Sequence, residues 1–503
     1  MKRIVIVLLV LTLLPIGCIT PQQTAETETP APTDALTAET ETPAPTATPE
    51  PTEEPEPQPP YVDARKPYIC IMTEERDLKW EEDIVYFANT FLDPYHGHPL
   101  LSDRMTPTLS YNDLVVRYGS SGTQNFFDPA LKAEFIDRIN ALILSIPELS
   151  DNEIMIKLIE TVAILHDLHS GFGGTIYPFD ACLPFFVQPF VSDEGTVCVI
   201  DETFSAQKSL LGMQLLNING VPVEEILDRL RPLVSYENEA AFRSLAMSWS
   251  CIANADLLRY IGVIGESDYV SITVRDRNGT VNDYDIPVYK IDDFVLINGF
   301  VSYNSGTGTE ESDVGRSLMY SNPAKDVWHC LLNDGKALYI RVNTCKVDDT
   351  ITKAFDAAIT AGKEAGSLEK IILDFRSNTG GYPDLSGNFL PLATFLSESG
   401  AEVFILIDGG SYSAAIALPS VLRRRVEGAK IVGSLGGQPT AFFVGGQFKL
   451  PNSGFTGQCS SVWDDFWPGN TDEALTPDVI VENTLEDFLN GCDSVLKYIL
   501  QSN

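Results

Sequence analysis

A serine near the end of the chain stands where a hydroxyl group could act as a nucleophile. Ser413 lies in the stretch Asp408–Ala415, where an apolar run ends in two glycines and a new apolar stretch begins. A serine becomes nucleophilic when a neighbouring base takes its proton, and it can then form an acyl-enzyme. A serine at the start of a helix is also a common N-cap, so Ser413 alone supports either role.

Two further segments supply groups that such a nucleophile needs. His169 follows a predicted helix, and an imidazole is the usual general base near neutral pH. The segment Asp374–Gly381 ends in Gly380 and Gly381, whose backbone N–H groups could hold an oxyanion. Each segment also has a structural interpretation, the first as a histidine beside a capping serine and the second as a tight turn. Their combination favours acyl-transfer chemistry.

The elements that position Ser413 and the two glycines are predicted from alternating patterns in residues 300–503. Predicted strands cover 337–342, 370–375, 403–407 and 430–432, predicted helices cover 351–365, 385–395 and 413–425, and a hairpin is predicted around 442–448. Such β–α alternation is typical of a largely parallel sheet covered by helices. Sites in these sheets lie where strands end and helices begin, which is where Ser413 is predicted.

The block of residues 61–178 is predicted to be helical. Asp128 and Pro129 form a cap followed by a proline in the first turn, which indicates the start of a helix. Ser150 and Glu153 form a capping box that opens a second helix, and this helix ends shortly before His169.

The block of residues 179–299 is richer in predicted strands. Residues 211–218 form a predicted strand, Asn219-Gly220 a tight turn, and residues 224–233 a helix. This strand–turn–helix resembles the second half of a PDZ domain, in which these elements frame a peptide groove.

Taken in order, these segments resemble the C-terminal processing, or tail-specific, serine peptidase family, in particular its tricorn-like and retinoid-binding-protein-like branch. The matching segments are Trp80–Ile84, Asp167–Ser170, residues 211–233, Leu373–Gly381, Ser411–Ala415 and Leu475–Asp478, and the resemblance covers about residues 75–500. It implies an α/β chain with an N-terminal helical region, a PDZ-like insert, and a ClpP/crotonase-like β–α core with a largely parallel sheet.

The resemblance also implies roles for residues of the predicted site. Ser413 is expected to be the nucleophile and His169 its general base. The backbone N–H groups of Gly380, Gly381 and Ala414 are expected to form the oxyanion hole, helped by the positive end of the helix that follows Ser413.

The third member of the predicted site is an acidic residue that orients the imidazole. Its place before the closing Pro-Asp motif favours Glu473, with Asp472 as the alternative. Members of the family that use a Ser–Lys dyad carry their lysine where this chain has Gln438. A Ser–Lys mechanism is therefore not expected, and the role of the base falls on His169.

Residues 1–60 predict an export signal and a spacer. Lys2 and Arg3 precede an apolar run that ends at Gly17-Cys18, and this segment (residues 1–18) resembles a lipobox in which Cys18 is acylated. Residues 19–60 contain 11 prolines, 9 acidic residues and no Lys or Arg, so they are expected to stay extended. The expected location is the extracytoplasmic face of the membrane, with a lipid on Cys18 as the tether, and secretion after cleavage is the alternative.

Several classes of partner are not expected. The chain has 34 basic and 70 acidic residues and a net charge of −36, which argues against binding nucleic acid. It has no phosphate-binding loop of the GxxxxGK[ST] type, which argues against nucleotide chemistry. His96 and His98 could suggest a metal site together with His166 and His169, but no carboxylate motif completes the set. No metal and no cofactor are therefore predicted.

The leading hypothesis is a surface-tethered serine endopeptidase that cleaves peptides or unfolded protein tails. One alternative is a catalytically degenerate lipoprotein of the same fold that binds peptides or apolar ligands, and another is an esterase-like hydrolase. For the leading hypothesis, we expect activity to rise with pH through the pKa of His169. His169→Ala should abolish activity, and Gln438→Ala should not.

Overall fold

The computed structural model describes residues 62, 68–111, 120–172, 180–192, 195–290, 300–303, 318–382 and 389–502. The predicted export signal, Cys18 and the spacer lie outside these ranges. No helix in the described ranges is both long enough and apolar enough to cross a membrane.

The described helices and strands alternate over residues 337–433, and elsewhere strands or helices follow one another in groups. The helices are α1 Glu75–Leu92, α2 Pro129–Ser145, α3 Asp151–Ala163, α4 Val223–Leu230, α5 Glu239–Ala246, α6 Trp249–Ile252, α7 Ala255–Tyr260, α8 Asp349–Ala365, α9 Phe389–Glu398, α10 Ala414–Arg425, α11 Leu485–Leu489 and α12 Ser494–Gln501. The strands are β1 Thr106–Ser110, β2 Ser120–Gln124, β3 Ala181–Cys182, β4 Phe185–Ser192, β5 Gly195–Phe204, β6 Gln214–Ile218, β7 Val221–Pro222, β8 Tyr269–Arg275, β9 Val281–Pro287, β10 Tyr289–Lys290, β11 Phe300–Ser302, β12 Val327–Leu332, β13 Ala337–Val342, β14 Lys370–Asp374, β15 Glu402–Ile407, β16 Lys430–Gly433, β17 Ala441–Lys449, β18 Thr456–Asp465 and β19 Val479–Ile480. Short 3₁₀ turns cover Ile146–Glu148, Ser205–Leu210 and Arg231–Leu233.

The last part of the chain is built on a sheet in the order β12-β13-β14-β15-β16-β19, as far as the described residues show. β12 is antiparallel to β13, and the other neighbouring pairs are parallel. Every residue of β13 and β14 is buried, because α8, α9 and α10 contribute to the core on one face and α12 to the core on the other. The parallel strands end at one edge, so the loops that follow β14 and β15 lie side by side.

A second sheet connects the first and last parts of the chain. Its order is β17-β18-β1-β2, and β1 runs parallel to β18. The N–H of Gly171 donates to the carbonyl of Gln458 (3.0 Å), and the N–H of Gln458 donates to the carbonyl of Gly171 (2.7 Å). These bonds attach the segment after α3, which carries His169, to the C-terminal hairpin.

The N-terminal helices begin where local capping predicts. The Asp128 side chain accepts the N–H groups of Ala130 and Leu131 at the start of α2. The predicted capping box of Ser150 and Glu153 is present at the start of α3. The region also contains β1 and β2, which the helical interpretation of residues 61–178 did not include.

The middle of the chain contains the predicted strand–turn–helix. β6 and β7 are joined by Asn219 (φ 48°) and Gly220 (φ 76°), the left-handed pair that a tight hairpin turn requires. The helix α4 ends at Leu230 and continues as a 3₁₀ turn through Leu233. β6 belongs to a sheet in the order β11-β5-β6-β8-β9 among the described strands, with β4 paired to β5.

The mixed α/β fold with parallel strands is therefore confirmed. The helix predicted over residues 413–425 begins one residue later, at Ala414, because Ser413 has a backbone conformation that no helix contains.

Candidate active site

Ser413 lies in the turn that joins β15 to α10. Its backbone angles are φ 57° and ψ −125°, a combination that residues other than glycine rarely adopt. The turn is fixed by Ser411, whose Oγ donates to the carbonyl of Phe375 (2.9 Å) and accepts the N–H of Asp408 (3.0 Å). A strained strand-to-helix turn with a serine at the first turn of the helix is the arrangement of a nucleophile elbow.

The structure brings His169 to Ser413. The distance from His169 Nε2 to Ser413 Oγ is 2.9 Å. The imidazole stacks on the ring of Phe442, with the ring centroids 5.1 Å apart, and it is buried. Burial lowers the pKa of His169 from its ordinary 6.5, although the nearby Asp167 carboxylate acts in the opposite direction. The imidazole is therefore neutral near neutral pH and able to accept a proton.

Gly380 packs directly against the nucleophile turn. A methyl group added to Gly380 would lie 2.6 Å from Ser413 Cβ and 2.9 Å from the nitrogen of Ala414. The N–H of Gly380 donates to Asn378 Oδ1 (2.8 Å), so it is used within its own loop. Among the described residues we find no acceptor for the N–H groups of Ala414 and Gly381. Of the three predicted oxyanion donors, these two are available as they stand.

The glycine loop is anchored on both sides. The Asn378 amide donates to the carbonyl of Val342 (2.8 Å), and the N–H of Tyr412 donates to the carbonyl of Asn378 (3.2 Å). The second contact joins the glycine loop to the turn that carries Ser413.

A buried ion-pair network centred on Arg376 stabilises this loop. Arg376 donates to Asp374 (2.6 and 3.0 Å) and to Asp493 (2.7 and 2.9 Å), and all three side chains are buried. Burial opposes the ionisation of Asp374, but the guanidinium groups of Arg376 and Arg341 outweigh it and lower its pKa to about 2. The network is therefore charged and fully paired.

Gln438 contacts both Ser413 and His169. Its Oε1 accepts the N–H of Ser413 (2.5 Å), and its Nε2 lies 3.5 Å from His169 Nδ1. A glutamine amide offers one acceptor oxygen and one donor nitrogen. Because the oxygen is committed to the N–H of Ser413, Gln438 presents its donor to the imidazole.

Glu237 is a carboxyl group near the imidazole that the sequence analysis did not single out. One oxygen of Glu237, one oxygen of Asp167 and a ring nitrogen of His169 lie within 4.8 Å of one another. Glu237 Oε1 accepts the N–H of Leu168 (3.3 Å), whereas its Oε2 is buried and has no hydrogen-bond partner among the described residues. Burial raises the pKa of Glu237 well above its ordinary value, and the Asp167 charge raises it further. Hydrogen bonding by the Gln438 amide and by the Leu168 N–H acts in the opposite direction.

Asp167 has partners for both of its oxygens. Its Oδ1 accepts the backbone N–H of His169 (3.0 Å), and its Oδ2 lies 3.1 Å from His98 Nε2. Burial opposes the ionisation of Asp167, but the hydrogen bond and charge of His98, together with the charge of His169, outweigh it and lower its pKa.

The spacing of Asp167, His169 and Glu237 is also small enough for a metal ion. The hydrogen bonds of Asp167 account for its oxygens without one, so we assign no metal there. The histidine cluster considered from the sequence is not assembled as a site: His96 is exposed, and the ring of His166 packs on Tyr236 at 5.2 Å.

The structure does not bring Glu473 to the imidazole. The side chains of Glu473 and Asp472 are exposed, and no hydrogen bond joins either carboxylate to His169 among the described residues. Among the described residues, Glu473 accepts a hydrogen bond through its backbone carbonyl, to which the Asn238 amide donates (3.2 Å). The orienting role predicted for Glu473 thus has no contact that supports it.

Comparison with protein-family models gives no match, and no curated protein matches in sequence. Solved structures do match. Mature CPAF complexed with lactacystin is 14% identical over 85% of this chain and 99% of that chain, with a TM-score of 0.52. Mature CPAF alone is also 14% identical, over 85% of this chain and 98% of that chain, with the same TM-score. The photosystem II D1 C-terminal processing protease is 12% identical over 82% of this chain and 94% of that chain, with a TM-score of 0.34.

The chain therefore shares the fold of mature CPAF. At 14% identity this likeness supports the resemblance predicted from the ordered motifs at the level of the fold, and it does not carry the roles of individual residues. Within this fold, the sequence analysis missed Glu237 as a neighbour of His169. It noted only that Gln438 is not a lysine, and it did not predict that Gln438 contacts both Ser413 and His169.

Proposed function

We propose that this chain is a serine peptidase that hydrolyses peptide bonds through an acyl-enzyme on Ser413, with His169 as the general base. The observation that carries the proposal is the 2.9 Å contact between Ser413 Oγ and His169 Nε2 at a strained turn. An N-cap serine accepts a helix N–H through its side chain, and Ser413 makes no such bond. The hydroxyl is thus directed at a base and not at the helix.

The chemical steps follow from these two groups. Ser413 Oγ bonds to the carbonyl carbon of the peptide while its proton passes to His169 Nε2. The imidazolium then gives that proton to the leaving amine as the C–N bond breaks. A water molecule then gives a proton to the same nitrogen and bonds to the acyl carbon. The bond from that carbon to Ser413 Oγ breaks, and the imidazolium returns the proton to Oγ.

The developing oxyanion needs donors close to Ser413. The N–H of Ala414 is the first of α10, where the positive end of the helix dipole lies, and the N–H of Gly381 belongs to the loop packed on the turn. Donors of this kind typically contribute ~100-fold or more to kcat each. The N–H of Gly380 becomes a third donor only when its hydrogen bond to Asn378 Oδ1 is broken.

We infer that the substrate is a peptide or an unfolded protein tail. The β6–turn–α4 unit supports a PDZ-like insert that presents the chain to the site, and the parallel β–α unit that carries Ser413 supports a ClpP/crotonase-like core. We further propose that residues 1–18 direct export, that a lipid on Cys18 tethers the protein to the extracytoplasmic face of the membrane, and that residues 19–60 space the enzyme from it.

The test is labelling of the purified chain by a fluorophosphonate serine-hydrolase probe. We expect wild type to be labelled, and Ser413→Ala and His169→Ala to lose labelling. Ser150→Ala is the matched control, because Ser150 caps a helix and has no imidazole partner. Folded wild type that is not labelled would favour the degenerate binding protein, and labelling that survives Ser413→Ala would refute the proposal.

Two further measurements test the substrate and the tether. A panel of peptide and ester substrates separates a peptidase from an esterase, and preferential cleavage of esters would contradict our assignment. In cells given a clickable fatty acid, the full chain should incorporate the label and Cys18→Ser should not. Equal incorporation by both chains would exclude Cys18 as the lipidated residue.

A further inference from the structure

A general base must present an unprotonated Nε2 to the serine, so its proton must reside on Nδ1. A proton on Nδ1 needs a hydrogen-bond acceptor, which in serine hydrolases is a carboxyl group. The acceptor available to His169 can be identified from the groups that surround its ring. This inference rests on the proposed Ser413–His169 chemistry.

Two of the surrounding groups already have hydrogen-bond partners, whereas Glu237 Oε2 has none among the described residues. Gln438 faces Nδ1 with its amide nitrogen, because its oxygen accepts the N–H of Ser413 at 2.5 Å. Turning the amide over would place two donors against each other at that short distance. Asp167 has both oxygens engaged, one by the His169 backbone N–H and the other by His98.

Glu237 is held beside the ring by its own segment, residues 235–238. The Ser235 hydroxyl donates to the carbonyl of Asp167 (2.8 Å), which ties the segment to the loop that carries His169. The Asn238 amide donates to the carbonyl of Gly436 (3.0 Å), which ties it to the loop that carries Gln438. Glu237 therefore lies between the two loops that approach Nδ1.

We propose that Glu237 positions His169 by accepting the Nδ1–H through its unpartnered Oε2, which keeps Nε2 free to take the proton of Ser413. One carboxylate oxygen of Glu237 and one ring nitrogen of His169 lie within 4.8 Å, and catalytic contacts commonly tighten only when substrate binds. Because Glu237 acts through His169, it is a positioning residue. The middle of the chain then completes the active site as well as presenting substrate.

The test compares Glu237→Gln with Glu473→Gln. The first replacement keeps the size of the side chain but offers an amide that can face Nδ1 with a donor. The second makes the same chemical change at the exposed position predicted from the sequence. The fluorophosphonate inactivation rate should fall ~100-fold or more in Glu237→Gln with the probe's binding constant changed less than about twofold, and Glu473→Gln should match wild type.

Two readouts separate positioning from a structural role. The acid limb of the inactivation rate should move to lower pH in Glu237→Gln, because the imidazolium loses the hydrogen-bond acceptor of its Nδ1–H. Imidazole ¹⁵N chemical shifts should report the Nδ1–H tautomer in wild type and the Nε2–H tautomer in Glu237→Gln. Urea unfolding of both variants establishes that they are folded.

Each outcome is decisive. The inference would be overturned if Glu237→Gln kept the inactivation rate, the acid limb and the imidazole tautomer of wild type. It would also be overturned if Glu473→Gln, and not Glu237→Gln, lost inactivation rate. If Ser413→Ala abolishes labelling in the same series, those results overturn this inference alone. Labelling that survives Ser413→Ala overturns the proposed function and this inference with it.

Discussion

Gly380→Ala tests whether the glycine loop positions the nucleophile. The added methyl group would lie 2.6 Å from Ser413 Cβ, 2.8 Å from the carbonyl oxygen of Tyr412 and 2.9 Å from the nitrogen of Ala414. These are backbone atoms and a Cβ, so the contact cannot be relieved by rotating a side chain. Either the turn that carries Ser413 or the glycine loop must move.

The expected effect has two parts. Gly380 has φ 92°, and an alanine in a positive-φ conformation costs ~1–2 kcal/mol. Overpacking of a closely packed site typically costs a further ~1–3 kcal/mol, so the free energy of unfolding should fall by roughly 2–5 kcal/mol in total. A displacement of the reacting groups by ~1 Å costs ~100-fold in rate, and we expect the fluorophosphonate inactivation rate to fall by about that factor.

Gly428→Ala is the matched control. Gly428 also has a positive φ, 77°, but a methyl group there would meet no atom within 4 Å. It should lose only the backbone contribution of ~1–2 kcal/mol and react with the probe at the wild-type rate. Both variants are measured by urea unfolding and by probe inactivation. If Gly380→Ala reacts at the wild-type rate, the reasoning that Gly380 positions Ser413 is wrong.

Three further results are expected. Arg376→Met leaves the buried Asp493 carboxylate without an ion-pair partner among the described residues and leaves Asp374 paired with Arg341 alone, so it should destabilise the chain by ~3–5 kcal/mol in urea unfolding. Arg423→Met breaks a partly exposed pair and should cost under ~1 kcal/mol. Because the pKa of Asp374 is lowered from 3.8 to about 2, its stabilisation is present above pH 3.8 and lost as pH falls toward 2, and Arg376→Met should weaken this dependence in acid unfolding, with Arg341 still in place. In Glu237→Gln, the residual inactivation rate should have its acid inflection below 6.5, because burial lowers the pKa of His169, and an inflection at or above 6.5 would contradict the assigned environment.

The elements that carry the site were predictable from the sequence because their signals are local. The capping box of Ser150 and Glu153 fixes the start of α3 within four residues of chain, and α3 leads into the loop with His169. The buried runs of β14 and β15 are short and continuous, as expected for parallel strands. Glycines that follow such strands mark the loops where Gly380 and Ser413 lie.

The pairing of β1 with β18 was not predictable from local pattern. Residues 61–178 contain clear helical periodicity, which hides two short strands, and one of them, Thr106–Ser110, has a partner near the end of the chain. A single strand of five residues has no pattern that specifies a distant parallel neighbour. The pairing matters for the site, because the same hairpin holds Gly171 and so the segment of His169.

The acid proposed to orient His169, Glu237, was also not predictable from the sequence, for a different physical reason. Glu473 was expected from its proximity along the chain to the Pro-Asp motif, but the contact there is made by its backbone, through the Asn238 amide. That contact, together with the bond from the same amide to Gly436, is what holds Glu237 near the ring.

The hydrogen bonds of Gln438 determine which kind of group can pair with His169 Nδ1. Its amide oxygen accepts the N–H of Ser413, so Gln438 offers His169 Nδ1 only a donor. A donor at Nδ1 favours the tautomer that cannot accept a proton from Ser413. The Nδ1–H tautomer therefore needs a carboxyl acceptor, and Glu237, which has one oxygen within 4.8 Å of a ring nitrogen, has a buried Oε2 without a hydrogen-bond partner among the described residues.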